Sequence, residues 1–455
     1  GATYRELAEL RLEKLEDASG ALKDLDAALK AEPKGAGALA SWKLKAKIAE
    51  RLGDDDLLRA SLARVKEFEQ DPDTLRWVRI QLAKLEERAG NLEGALATLQ
   101  EILSEVPDDP DALPVAVRLL RELKRLDEAV AVLEAAAVVV SDRPERAHEV
   151  LSDLGALLDG EVGDTTRAAE AWGRALRARP EEERAFQEAV RTARASKGEK
   201  ALFRVLDEVC NEVRRPERRE AYLRELAALA RGPLKDAKEA ARRYERLRAA
   251  LPNDPAAGTA LRELFRELKR WSDLTALLED LAKDDVLGDA RGCWREAARV
   301  AESELEDLPR AASALEVLLD GEGDPKEPAF ASLASLYDRL EQGEEQIAVL
   351  LRQDALLHKG RGEFADDAAR AAFRAERLSE AATVAETRLN DLRRAADLLA
   401  QALKVTPGAL SLLERLARVQ EASGEPREAE RTLILAAQAA TQNAVARSGF
   451  HLQRG

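Results

Sequence analysis

The residues best suited to chemistry are few and scattered. Three histidines, His148, His358 and His451, stand in unrelated positions. None has a partner at the His-x-x-x-His spacing that would hold a metal ion. The two cysteines, Cys210 and Cys293, lie far apart and each lacks a neighbouring Cys. That fits neither a disulfide framework nor a zinc site, and both are expected on helix faces. Asp320, Glu322 and Asp324 alternate with glycine like the start of a calcium loop, but Phe330-Ala331-Ser332 occupies the stretch where the loop's final acid belongs. The segment reads as a helix end followed by a polar turn. No phosphate-cradling Gly-x-x-x-x-Gly-Lys-Ser/Thr, no Gly-x-Gly-x-x-Gly opening a helix and no Gly-x-Ser-x-Gly occurs. Carboxylate pairs carry no information among 87 acids. The run Arg214-Arg215-Pro216-Glu217-Arg218-Arg219 is interleaved with acids and has no aromatic platform, so it reads as a solvated turn rather than a phosphate contact. The expectation is a chain that is not an enzyme and that holds no cofactor and no metal.

What must position any binding residue is a repeat. A phrase recurs six times: Asp or Asn, Ala four residues on, an apolar residue four further, and Pro twelve after the Ala. The copies are Asp17, Ala21, Leu25, Pro33; Asn91, Ala95, Leu99, Pro107; Asp164, Ala168, Trp172, Pro180; Asp236, Ala240, Tyr244, Pro252; Asp307, Ala311, Leu315 with Gly323 in the Pro slot; and Asp391, Ala395, Leu399, Pro407. Around Ala95 the pattern predicts a helix that Gly90-Asn91 breaks. A second helix then runs from about Leu92 to Ser104, with Ala95, Leu99, Ile102 and Leu103 on one face, and Pro107 ends it. The small Ala lets two helices approach closely, and the residue four positions on fills the space beside it.

Looser hairpin turns alternate with the phrases, at Gly53-Asp54-Asp55, Lys124-Arg125, Gly198-Glu199, Lys269-Arg270, Gln342-Gly343 and Gly424-Glu425. Successive phrase alanines are 74, 73, 72, 71 and 84 residues apart, so a pair of hairpins is the repeating unit and twelve hairpins fill nearly the whole chain. An array of this kind grows by adding units that contact only their neighbours, which is how 455 residues can avoid a single central core. Composition agrees: 45% hydrophobic residues, 35% charged and only 4% aromatic, rich in strong helix formers. The net charge of −15 disfavours nucleic acid as a general partner. No uncharged apolar stretch is long enough to span a membrane.

The phrase resembles the tetratricopeptide repeat, most closely at Gly90-Asn91, Ala95, Leu99, Ile102, Pro107 and at Gly163-Asp164, Ala168, Trp172, Ala175, Pro180. Trp42, Ala46, Ala49 and Gly53 match the first-helix half of the pattern, whereas Leu154-Gly155 sits one residue out of register. The resemblance covers about residues 2–440 and is similar to the long, degenerate arrays common in large bacterial proteins. It implies an all-α right-handed α-solenoid superhelix of about twelve helical hairpins over 1–440, with a candidate break in the longer connection 352–370 and a tail at 441–455. It implies a non-catalytic scaffold or adaptor that binds a protein or peptide in a concave groove lined by first helices. The alternative is a regulatory or substrate-recruiting region of a larger enzyme or signalling protein.

Carried onto this sequence, the groove positions are Lys43, Lys47 and Arg51, then Trp77, Ile80, Lys84 and Arg88, then Arg118, followed by Glu225, Glu263, Glu267, Glu296 and Glu304. The groove is thus expected to be basic near the first hairpins and acidic beyond the middle, fitting an acidic peptide with Trp77 as anchor. The family's clamp for a chaperone's terminal carboxylate needs asparagines on successive first helices. The chain has only five, Asn91, Asn211, Asn253, Asn390 and Asn443, mostly in turns. The first hairpin, with Tyr4, Leu7, Leu10 and Leu12, has no polar cap, which suggests self-association through the ends of the array. A Gly-flanked stretch, His358 to Asp367 with Phe364, is either a docking loop or a longer connection. The chain lacks methionine, initiator included. It is read as a piece of a longer protein, or as one whose modified methionines are missing from the sequence. A cytoplasmic location is expected, or export with the signal removed.

Overall fold

The computed structural model describes residues 1–452, with side chains through Thr441; the side chains of the tail, Asn443 and His451 among them, lie outside the described residues. Every regular element among the described residues is helical. The chain divides into two units, Gly1–Leu234 and Lys235–Gly455. The first unit contains α1 (Ala2–Lys14), α2 (Ala18–Ala31), α3 (Ala36–Leu52), α4 (Asp55–Phe68), α5 (Pro72–Arg88), α6 (Leu92–Glu105), α7 (Ala112–Glu122), α8 (Leu126–Val139), α9 (Pro144–Leu157), α10 (Thr165–Ala178), α11 (Glu183–Ser196), α12 (Glu199–Val209) and α13 (Pro216–Arg231). The second contains α14 (Ala237–Ala250), α15 (Pro255–Glu267), α16 (Trp271–Lys283), α17 (Ala290–Ser303), α18 (Leu308–Leu319), α19 (Ala329–Arg339), α20 (Gly343–His358), α21 (Asp367–Thr387), α22 (Leu392–Val405), α23 (Leu410–Ala422) and α24 (Pro426–Leu452).

The phrase residues do what their chemistry dictates. Asp17, Asn91, Asp164, Asp236, Asp307 and Asp391 are the N-caps of α2, α6, α10, α14, α18 and α22, and each side chain accepts a hydrogen bond from a backbone N–H in the first turn. Such a cap contributes about 1 kcal/mol by satisfying an otherwise orphaned donor. The alanine four residues on is fully buried in all six copies, at 0% exposure, so its methyl is the contact surface between packed helices. The helices that end before a proline, α2, α6, α10, α14 and α22, are each 14 residues long. The residue that follows each helix and precedes the proline is held out of the α region at φ −124° to −141° and ψ 72° to 87°, as a residue preceding proline must be. The copy with Gly323 in the Pro slot stops earlier: α18 has 12 residues and Gly321 turns the chain at φ +71°.

One feature was not visible in the residue types. The residue just before each phrase cap is left-handed, and four of the six are not glycine: Glu16, Lys235, Glu306 and Asn390 at φ 51° to 54°. Lys124, Lys197, Lys269 and Glu341 take the same conformation in the looser turns, at φ 54° to 60°. In the looser turns the following N–H then reaches back to a carbonyl five residues earlier, as in Arg125 to Leu120 and Arg270 to Phe265, closing the helix end by the Schellman pattern, whereas the N–H groups of Asp17, Asp164, Asp307 and Asp391 reach back six residues. The register slip at Gly155 also has a cause. Residues Leu158–Val162 form a π turn that absorbs one extra residue before Asp164. Gly155 itself is required because a Cβ there would lie 2.7 Å from the Trp172 indole.

The longer connection expected as a break lies inside the second unit and is packed rather than free. Lys326 donates to the Glu363 carbonyl and sits 4.1 Å from the Phe364 ring, which also contacts Phe373 at 5.7 Å. The irregular turn after α18 and the irregular turn after α20 therefore cover each other. Within each unit, arginine–carboxylate pairs also join successive hairpins: Arg88 with Asp55, Arg125 with Glu93, Arg167 with Glu134, Arg194 with Glu225, Arg310 with Glu279 and Arg295 with Glu327, all 31 to 33 residues apart.

Two substitutions test these assignments. Lys124→Gly removes a left-handed lysine and is expected to raise stability by about 1 kcal/mol, read as a higher denaturation midpoint. Gly155→Val should lower stability by about 1–3 kcal/mol through overpacking against Trp172; an unchanged midpoint would contradict the contact.

Candidate functional site

The first helices α1, α3 and α5 frame an open recess of about 570 Å³ lined by Glu9, Ala40, Lys43, Leu44, Lys47, Asp73, Thr74 and Trp77. Its α3 wall consists of residues at i, i+3, i+4 and i+7, one face of a single helix. Its α5 wall is fixed at the helix start, where the Asp71 carboxylate accepts from the Thr74 N–H at 2.9 Å and the Thr74 hydroxyl at 2.6 Å. Trp77 is partly buried against the cluster of Ala46, Leu62, Val65 and Val78, which holds one ring face rigid and leaves the remainder to the recess. Lys43 is anchored by an ion pair with Glu69. Glu69 in turn accepts from the N–H groups of Gln70 and Asp71 at 3.0 Å. The Lys43 hydrogen bond, with those backbone donors, holds the Glu69 carboxyl below its ordinary value of 4.5.

Of the residues expected on the groove, the recess gathers Lys43, Lys47 and Trp77. Lys84 and Arg51 are exposed outside it, and Lys47, Arg51 and Lys84 make no ion pair among the described residues. Arg88 turns away to Asp55 at 3.0 Å. Ile80 does not line the surface: it is 7% exposed and belongs to the core. The reason is that α5 buries Val78, Ile80, Ala83 and Leu85, an arc too wide for a helix covered on one side only, so the free stripe is narrower than a four-residue spacing suggests. Arg118 lies at a different recess, of about 230 Å³, with Pro114, Val117, Arg121, Arg146 and Asp153, and pairs with Glu87 at 2.8 Å and Glu122 at 3.1 Å. The walls of that recess desolvate Asp153 and push its pKa up, even though its carboxylate still touches solvent. The expectation of a basic groove near the first hairpins is also corrected. The recess at α1, α3 and α5 carries Glu9 and Asp73 opposite Lys43 and Lys47, so its lining charges balance, and Lys47 is its cation without an ion pair among the described residues.

The expected acidic stretch beyond the middle is corrected at two of its five positions, while Glu263, Glu267 and Glu304 are exposed. Glu225 is paired with Arg194 at 2.7 Å, and Glu296 is 7% exposed and held by Arg262 and Arg266. The surface there, between α15 and α17, is a recess lined by Arg262, Arg266, Gly292, Arg295, Glu296 and Arg299. The signal is present as Arg-x-x-x-Arg on two successive first helices, one residue from Glu263, Glu267 and Glu296. Glu322, of the calcium-like segment, accepts from the Gly323 and Asp324 N–H groups and pairs with Arg291, so it folds back on its own turn. Among the described residues no three His, Cys, Asp or Glu side chains gather as a metal would need. Both cysteines are buried, and His148 Nδ1 lies 3.2 Å from the Ala175 carbonyl.

The state of Glu69 gives a pH prediction. A carboxyl depressed on folding stabilises the protein above its ordinary pKa, and that contribution is lost as pH falls through the folded value. Lys43→Met is expected to move the Glu69 carboxyl back toward 4.5, measured by NMR titration; no movement would show that the ion pair is not formed in solution.

Residues 86–154 match the family model of the tetratricopeptide repeat. Among solved structures, the chain is similar to the Naa15/Naa10 complex bound to HypK-THB at 16% identity and a TM-score of 0.32, covering 96% of this chain and 63% of that one. It is also similar to a tetratricopeptide repeat protein from Parabacteroides merdae, at 16% identity and a TM-score of 0.28, covering 66% of this chain and 98% of that one. The P58(IPK) TPR domain aligns at 16% identity and a TM-score of 0.22, over 79% of this chain and 92% of that one. No curated protein matches in sequence. No described helix is long and apolar enough to cross a membrane.

Proposed function

Because residues 86–154 match the tetratricopeptide repeat, a fold that generally mediates protein–protein interaction, we propose that the chain is a non-catalytic scaffold that binds a peptide or protein partner on the first-helix face of its first unit. The observation that carries this reading is the recess of about 570 Å³ at α1, α3 and α5, where a partly buried tryptophan stands beside an unpaired lysine. A rigid aromatic with one free face is the usual anchor of a binding surface, because burying it costs little side-chain entropy. Lys47 on the rim and Lys84 further along α5 favour an acidic partner, and they act more on association rate and specificity than on final affinity. Glu9 and Asp73 on the same recess would reject a partner that is acidic throughout. The ligand that fits is therefore an extended segment with an apolar residue over Trp77 and an acidic residue near Lys47.

The experiment is capture with site-specific crosslinking from position 40, on the α3 wall of the recess, compared between the parent chain and two variants. Trp77→Ala is expected to weaken the captured complex by about 2 kcal/mol or more. Lys47→Glu with Lys84→Glu should slow association and remove most of its salt dependence. Capture that is unchanged in both variants would sink the proposal.

A further inference from the structure

We propose that the recess between α15 and α17 in the second unit is a binding site for a dianionic phosphate group, carried on a peptide side chain or free in solution. The inference goes beyond the partner groove of the first unit and does not depend on it. Four guanidinium groups, Arg262, Arg266, Arg295 and Arg299, line an open space of about 300 Å³ together with a single carboxylate, Glu296, and the bare backbone of Gly292. In many places in this chain an arginine faces its own acid, as with Arg167 and Glu134 or Arg310 and Glu279. Here one acid serves two. Glu296 gives one oxygen to Arg262 and the other to Arg266, and it is buried beneath them at 7% exposure.

That arrangement fixes the two guanidiniums without neutralising them. Each guanidinium has five donors, and a single carboxylate oxygen leaves most of them unused. Arg295 reaches Glu327 at 3.3 Å, an acid it shares with Arg291. Arg299 has no ion pair among the described residues. The lining thus has a surplus of three positive charges in a chain whose net charge is −15. Gathered like charges cost free energy unless an anion joins them, and they focus the field that attracts one.

The chemistry of the anion follows from the geometry. Guanidinium forks bind phosphate and carboxylate through paired N–H donors. A carboxylate offers two oxygens in one plane and one negative charge. A phosphate monoester offers three terminal oxygens, which can accept from forks on two different helices at once, and nearly two charges at neutral pH. Two helices contribute here, with Arg262 and Arg266 one turn apart on α15 and Arg295 and Arg299 one turn apart on α17. The dianion matches both the surplus and its distribution.

The test uses the full chain in isothermal titration calorimetry with four probes: a phosphoserine peptide, the same peptide unphosphorylated, the peptide with Glu in place of phosphoserine, and inorganic phosphate. The phosphoserine peptide is expected to bind and its unphosphorylated form not to. Arg299→Ala, which removes an exposed side chain with no ion pair, should weaken that binding about tenfold or more while leaving thermal stability unchanged. Lys47→Glu with Lys84→Glu should leave it intact, which separates this site from the groove of the first unit. Binding of inorganic phosphate as strong as that of the phosphopeptide would assign the site to the free ion. Equal affinity for the Glu peptide, no binding of either phosphate probe, or no effect of Arg299→Ala would each overturn the proposal.

Discussion

The close approach of paired helices at a fully buried alanine is the constraint from which the rest of each unit follows. With only a methyl between the helices, the larger neighbour one turn on, such as Leu25, Leu99 or Trp172, becomes the wedge that fixes how the next helix sits. The cap before the alanine and the proline after it set where the helix begins and ends, so 14-residue helices recur with the same boundaries. Their registry leaves little freedom in the second helices. Variation is therefore concentrated on the exposed stripe of the first helices, which line the recess of α1, α3 and α5 and that of α15 and α17.

Charge is used in two ways. Most arginines are engaged with carboxylates on a neighbouring helix, and these pairs belong to the scaffold. Against that background a cation without an ion pair among the described residues is informative, which is why Lys47 beside Trp77 and Arg299 beside the arginines that share Glu296 stand out. A count of acids and bases could not separate the two uses, since it yields a net −15 for the whole chain and says nothing of which charges already have partners.

The second helices were legible in the sequence because their signals are local: a cap, a small residue, a wedge and a proline at fixed offsets. The left-handed residues before the caps were legible only where glycine occupies them, as at Gly90 and Gly163. At Lys124, Lys269 or Glu341 the hairpin imposes a conformation that the residue itself disfavours, and nothing in its type announces that. The groove was legible in part. Trp77, Lys43 and Lys47 do meet, but Ile80 is drawn into the core because its helix is covered along a wide arc, and Arg118 belongs to another recess. Spacing alone places Glu296 on the surface, whereas its contacts make it the buried support of an arginine cluster. Both misreadings have one origin: helical period gives the direction of a side chain and not what stands opposite it.

The ion pairs that recur at one-hairpin intervals also have a mechanical meaning. Exposed pairs of this kind contribute little each, roughly 0.2–1 kcal/mol, and are screened by salt. They act in parallel with the apolar contacts between neighbouring hairpins, so they add little to whether a unit folds but contribute to how stiffly one hairpin resists tilting on the next. Each unit should then behave as an elastic element whose spring constant falls with ionic strength at nearly constant fold, soft enough at physiological salt to conform to whatever it holds.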